Sequence, residues 1–134
     1  MDPTFLTLAE VLKIHEEHIA RYGGESGLRD INLLKSAVGT PAATFDGRFL
    51  YSDIFEMAAA YFFFIIQDHP FVDGNKRTGA AAADVFLMLN EYELDVKPLE
   101  LAETALAVAS GKLGKAELAV YLRAHSHVLL SPLG

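Results

Sequence analysis

The segment His69-Pro70-Phe71-Val72-Asp73-Gly74-Asn75-Lys76-Arg77 places a histidine, a carboxylate, an amide and two cations within nine positions. His69 is the one side chain among them whose ordinary pKa suits proton transfer at neutral pH. Asp73 offers a hard oxygen ligand to Mg2+, an ion that usually binds one or two carboxylates plus substrate phosphates. Gly74 lets the backbone turn tightly and approach a ligand closely. Asn75, Lys76 and Arg77 are expected to open a helix, where free N–H groups and the dipole favour an anion. Lys76 adds a point charge, and Arg77 a planar fork that matches phosphate oxygens. Base, metal ligand and phosphate cradle together describe a phosphoryl- or nucleotidyl-transfer site, where positioning and electrostatics supply most of the catalysis. Taken singly, each residue reads more simply as part of a surface loop, with Asn75 or Asp73 capping a helix. As a set they exceed what a turn between two helices needs. Phe71 and Pro70 are expected to pin the loop against the core.

The elements that must hold this loop follow from periodicity. Thr7 and Glu10 have the spacing of a capping box, and Val11, Ile14, His15, His18, Ile19 and Tyr22 then recur at helical spacing until Gly23-Gly24. A second helix starts near Asp30, carries Ile31, Leu34, Ala37 and Val38 on one face, and ends at Gly39 and Pro41. Between Pro41 and Tyr51 the helical period is lost. There Phe45-Asp46-Gly47-Arg48-Phe49 sets a turn dipeptide between aromatics, which predicts a small hairpin or an irregular flap. Asp53 and Glu56 restart a helix with capping-box spacing. From Met57 to Ile66 it is apolar on every side, as a central helix is, and Pro70 predicts its end at His69. A further helix opens around Asn75 and runs to about Asn90, its alanines permitting close approach of a neighbour. Pro98 opens the next helix, which ends near Ser110-Gly111, and Gly114 precedes the last. The sum is an all-α, single-domain bundle of about six helices over residues 1–134, with a short flap.

Composition narrows the function. The 134 residues are 51% hydrophobic, enough for a real core, and the net charge of −7 argues against a general binder of nucleic acid or anionic membrane. There are no cysteines, so disulfides, zinc knuckles and thiol nucleophiles are excluded. The apolar run Met57–Ile66 is too short to span a bilayer, which needs about 20 residues. A cytoplasmic protein is expected. His15 and His18 lie one turn apart on an apolar stripe without obvious further ligands, and read as packed core-edge histidines rather than a metal pair. His125 and His127 read as solvated. Neither a P-loop nor the protein-kinase signature set is present.

His-Pro-Phe-x-Asp-Gly-Asn-Lys-Arg resembles the Fic signature, His-x-Phe-x-Asp/Glu-Gly-Asn-Gly/Lys-Arg. Tyr22-Gly23-Gly24, Gly27-Leu28-Arg29-Asp30, Leu33-Leu34, Pro41, Phe45 and Thr78 extend the resemblance to the death-on-curing (Doc) branch of the Fic/Doc family over nearly the whole chain. The resemblance implies that His69 is the general base, that Asp73 holds Mg2+, and that Asn75 and Arg77 bind phosphates of ATP with main-chain N–H groups around Gly74. In Fic AMP-transferases the position of Lys76 is usually glycine, which leaves room for the α- and β-phosphates. Doc-type members bind ATP in the reverse sense and present its γ-phosphate. Lys76, with Ala80 where a second arginine is often found, therefore favours a kinase. The target that the family implies is a threonine of elongation factor Tu, whose modification stops translation. The flap of Phe45, Asp46, Gly47, Arg48 and Phe49 resembles the segment that Fic proteins use to hold a target strand, a β-augmentation mode; an ordinary surface loop is equally open there.

The inhibitory helix of many Fic proteins carries Ser/Thr-x-x-x-Glu followed by Gly or Asn. Ser52 and Glu56 approach this pattern, but Met57 follows and capping already accounts for Asp53 and Glu56. Lacking that brake, a toxin of this kind needs a separately encoded antitoxin. Three functions are ordered accordingly: an ATP-dependent protein Ser/Thr kinase toxin, an AMP-transferase on the same fold, and a non-catalytic binding module that kept it.

Overall fold

The computed structural model describes residues 2–129. Three helix starts are set by capping side chains placed one residue ahead of an apolar stripe. Thr7 accepts from the Glu10 N–H, and the Glu10 carboxylate accepts from the Thr7 N–H, so α1 (Leu8–Tyr22) begins at a complete capping box. Asp30 accepts from the N–H groups of Asn32 and Leu33 and starts α2 (Ile31–Gly39), which a single 3-10 turn over Thr40–Ala42 prolongs. Asp53 caps α3 (Ile54–Asp68) by accepting from the Glu56 N–H. The reciprocal half of the expected box is absent. Glu56 instead accepts from the main chain and hydroxyl of Ser52, and the Asp53 carboxylate also pairs with Arg123.

α3 is the central helix, with Met57 to Phe62, Ile65 and Ile66 buried. It packs against α4 (Asn75–Leu89), α6 (Lys115–Ala124), α2 and α5 (Pro98–Ala109). The apolar run that was too short for a membrane thus forms the middle of the bundle. Among the described residues no helix is long and apolar enough to cross a bilayer. Small residues bring α3 and α4 together: Ala80, Ala82 and Ala83 are buried, and a Cβ on Gly79 would stand 2.9 Å from the Phe62 carbonyl oxygen and 3.2 Å from Ile66 Cγ1. Gly79→Ala should therefore cost net stability, because forcing two backbones apart costs about 1–3 kcal/mol, more than the roughly 1 kcal/mol that alanine gains in a helix. Urea denaturation checks this; an unchanged or raised midpoint would mean that the crossing has slack.

The flap is a true hairpin. β1 (Thr44–Phe45) and β2 (Arg48–Phe49) pair antiparallel, Thr44 opposite Phe49 and Phe45 opposite Arg48. Positive φ at Asp46 (52°) and Gly47 (74°) makes the two-residue turn that matches strand twist. Phe49 packs on Phe5, while Phe45 remains 75% exposed. A second ribbon was not expected from the sequence: β3 (Tyr92–Leu94) pairs antiparallel with β4 (Ser126–Val128). His127 lies opposite Glu93 and pairs with its carboxylate, and His125 is bound to the Tyr121 carbonyl, so neither is merely solvated.

Candidate active site

The loop between α3 and α4 is held from two sides. From α1, the buried His15 stacks face to face on the fully buried Phe71, ring centroids 3.7 Å apart. His15 Nε2 lies 2.8 Å from the Asp73 carbonyl oxygen, which can only accept, so Nε2 carries the proton. Phe71 is thus the anchor of the loop, and His15 the side chain that ties it to α1. From the segment before α2, Leu28 bridges Phe71, the Val72 N–H reaches the Gly27 carbonyl, and the Pro70 carbonyl accepts from the N–H groups of Arg29 and Asp30.

His69 closes α3 in the left-handed conformation, φ 50° and ψ 55°, a place more often taken by glycine because a Cβ there is strained. The side chain is exposed. Asp73 is exposed as well, yet its carboxylate is well anchored: Oδ2 accepts from the Glu25 N–H at 3.1 Å and Oδ1 from the Gly74 N–H at 2.8 Å. These two bonds, and after them the charges of Arg77 and Lys76, hold its pKa below the ordinary 3.8. A carboxylate with a lowered pKa keeps its favourable contacts above the ordinary value and loses them only as pH falls through the lowered one. At neutral pH Asp73 is an anion with lone pairs facing solvent. Gly24 makes this anchoring possible, since a Cβ there would stand 2.6 Å from Asp73 Oδ2.

Gly74 opens α4 with φ 79°, in the left-handed region. A Cβ at Gly74 would meet Ile19 Cδ1 at 3.2 Å and His15 at 3.6 Å, so the glycine allows close packing on α1 more than close approach of a ligand. No side chain caps α4. The N–H groups of Asn75, Lys76 and Arg77 therefore begin the helix without intrahelical acceptors. Asn75 differs from the expectation. It is 5% exposed, its Oδ1 accepts from the Phe71 N–H and its Nδ2 donates to the Phe71 carbonyl, both at 3.0 Å. Its side chain closes the loop, and what it offers an anion is chiefly its main-chain N–H.

Lys76 is exposed, whereas Arg77 is half-buried, donating to the Gly23 carbonyl at 3.0 Å with its guanidinium carbon 5.7 Å from the Tyr22 ring centre. Among the described residues this is its one hydrogen bond, which leaves four of five N–H donors for other partners. Both cations flank a groove of about 500 Å³ between α1, α4 and α5, lined mainly by apolar groups such as Ala81, Val85 and Leu101. His18 and Asp84 supply its polar edge. Burial, then Arg77 and Arg21, push the His18 pKa down toward the neutral imidazole, and burial pushes Asp84 up. The His18 Nδ1 is buried without a partner among the described residues. The sequence reading placed His18 at the core edge; its place beside Arg77 depends on α1 and α4 meeting, which periodicity does not report.

The structure thus brings His69, Phe71, Asp73, Gly74, Asn75, Lys76 and Arg77 into one loop and helix start. Among the described residues no hydrogen bond joins the Phe45–Phe49 hairpin to it. Nor is there a group of three or more His, Cys, Asp or Glu residues that could cage a metal. One ionised, solvent-facing carboxylate beside an uncapped helix start instead fits Mg2+ held partly by substrate phosphates and water.

Residues 5–87 match the family model described as the Fic/DOC family. The chain is 32% identical over 117 residues to a protein kinase doc of Escherichia phage P1, covering 85% of this chain and 89% of that protein. It is 44% identical over 73 residues to a toxin Doc of Mycolicibacterium smegmatis (strain ATCC 700084 / mc(2)155), covering 54% of this chain and 56% of that one.

Proposed function

Because the chain belongs to the Fic/DOC family, we propose that it is a Doc-type toxin that transfers the γ-phosphate of ATP to a Ser/Thr hydroxyl of a protein, with elongation factor Tu as the target. What supports this most is the joining of three parts in one hydrogen-bonded loop: an exposed histidine, an anchored carboxylate, and an uncapped helix start flanked by two cations. His69 accepts the proton of the target hydroxyl as its oxygen bonds to the γ-phosphorus. The bond between that phosphorus and the β–γ bridging oxygen breaks, and ADP leaves. The N–H groups of Asn75, Lys76 and Arg77 and the two cationic side chains offset the polyphosphate charge. Asp73 would hold Mg2+, which supplies neutralisation of charge on the phosphate oxygens. The Phe45–Phe49 hairpin has an exposed aromatic and short open edges, which suit main-chain pairing with a target strand. In this reading residues 1–134 act as one domain in the cytoplasm, held in check by a separately encoded antitoxin.

Labelled ATP tests it. Label in the γ-phosphate should enter a protein of host lysate, label in the α-phosphate should not, and a small partner co-purified from the native host should suppress transfer. Lys76→Gly should weaken γ-transfer and admit α-label, because the side chain occupies space that AMP transfer needs. Entry of α-label with the unaltered protein would make it an AMP-transferase instead.

A further inference from the structure

His69 keeps a left-handed backbone although it carries a Cβ, and such a conformation persists only where its surroundings over-determine it. The last carbonyls of α3 are also without intrahelical donors and lie at the negative end of the helix dipole. One side chain answers both needs. Arg29 Nε donates to the His69 carbonyl at 2.6 Å, and Arg29 Nη2 donates to the Asp68 carbonyl at 2.9 Å. The same residue's N–H, with that of Asp30, donates to the Pro70 carbonyl. Arg29 therefore spans three consecutive peptide groups around His69, with the planar fork that only arginine offers.

We propose that Arg29 is a positioning residue for the base: by bridging the carbonyls of Asp68 and His69 it fixes the left-handed turn from which the His69 side chain departs. The inference rests on the reading of His69 as the general base. Among the described residues the Arg29 side chain makes no hydrogen bond to the start of α4 or to Asp73, so its loss should disturb the base and spare nucleotide binding. A lysine keeps the charge but cannot reach two carbonyls in one plane.

The test is steady-state transfer from γ-labelled ATP to elongation factor Tu by wild type, Arg29→Ala and Arg29→Lys, with backbone NMR of His69 in each. Arg29→Ala should lower kcat by roughly 10- to 100-fold, the size expected when a reacting group is misplaced, with KM for ATP within about twofold. Arg29→Lys should recover only part, and millimolar guanidinium should restore part of the activity of Arg29→Ala. The NMR shifts and coupling that report positive φ at His69 should be lost in Arg29→Ala. Wild-type kcat in Arg29→Ala, or a parallel rise of KM and fall of kcat that guanidinium does not reverse, would overturn the proposal. If wild type transfers nothing, the kinase reading fails, and the His69 coupling alone then decides the role of Arg29: retention of positive φ in Arg29→Ala overturns it.

Discussion

His69→Ala should abolish phosphate transfer while leaving the fold and its stability nearly unchanged. The side chain is exposed and makes no hydrogen bond among the described residues, so its removal opens no cavity and strands no partner. The backbone turn is held through the His69 carbonyl by Arg29 and through the Pro70 carbonyl by Arg29 and Asp30. Alanine retains all of these. Positive φ is less comfortable for alanine than for histidine, so a fraction of a kcal/mol, on the order of 0.5, is the largest stability loss expected. Loss of a general base lowers the rate by about 10²- to 10⁴-fold. Single-turnover kinetics with saturating ATP, beside a thermal denaturation curve, check both halves of the prediction. A dead enzyme with an unfolded loop would show that His69 is structural.

Asp73→Asn should be nearly as damaging, through a different quantity. The carboxylate receives two N–H donors, from Glu25 and Gly74, and carries the negative charge that Mg2+ needs. An asparagine satisfies one donor and sets its own NH2 group against the other. The charge is lost altogether. Metal neutralisation of a transferring phosphoryl group supplies several kcal/mol, so the expected loss is roughly 10²- to 10³-fold at 1.36 kcal/mol per decade. High Mg2+ should restore part of the rate in Asp73→Asn and none in His69→Ala. Because the Asp73 pKa is lowered from 3.8, Asp73 should impose no acid limb on the Mg2+ dependence of the wild type at mildly acidic pH. Asp73→Asn with an unchanged Mg2+ requirement would remove Asp73 from the metal site.

Local signals carried much of this. Thr7, Asp30 and Asp53 each stand one residue before an apolar period, and each caps the helix it was expected to start. Gly23, Pro70 and Pro98 bound helices as their backbone chemistry requires. The identity of the residues in the 69–77 loop was legible for the same reason: they are adjacent in sequence. What each side chain touches was not. Asn75 has the right type for a phosphate ligand, but its two polar groups go to Phe71. Glu56 accepts from Ser52 rather than from the Asp53 N–H, and the Asp53 carboxylate pairs with Arg123 of α6, 70 positions away. Arg29 is bound to carbonyls 39 and 40 positions away, and His18 meets Arg77 only through the packing of α1 on α4. The β3–β4 ribbon has three residues per strand and joins Tyr92 to Val128, too short and too distant for any periodic signal. Long-range partners, not helix limits, were the illegible part.

The group transferred is expected to be the γ-phosphate. Intact-mass spectrometry of purified elongation factor Tu, after incubation with this protein, Mg2+ and ATP, addresses it most directly, with His69→Ala as the control. The expected result is a gain of one phosphate that the control lacks. A gain of one AMP, or a phosphate gain that persists with His69→Ala, would contradict it.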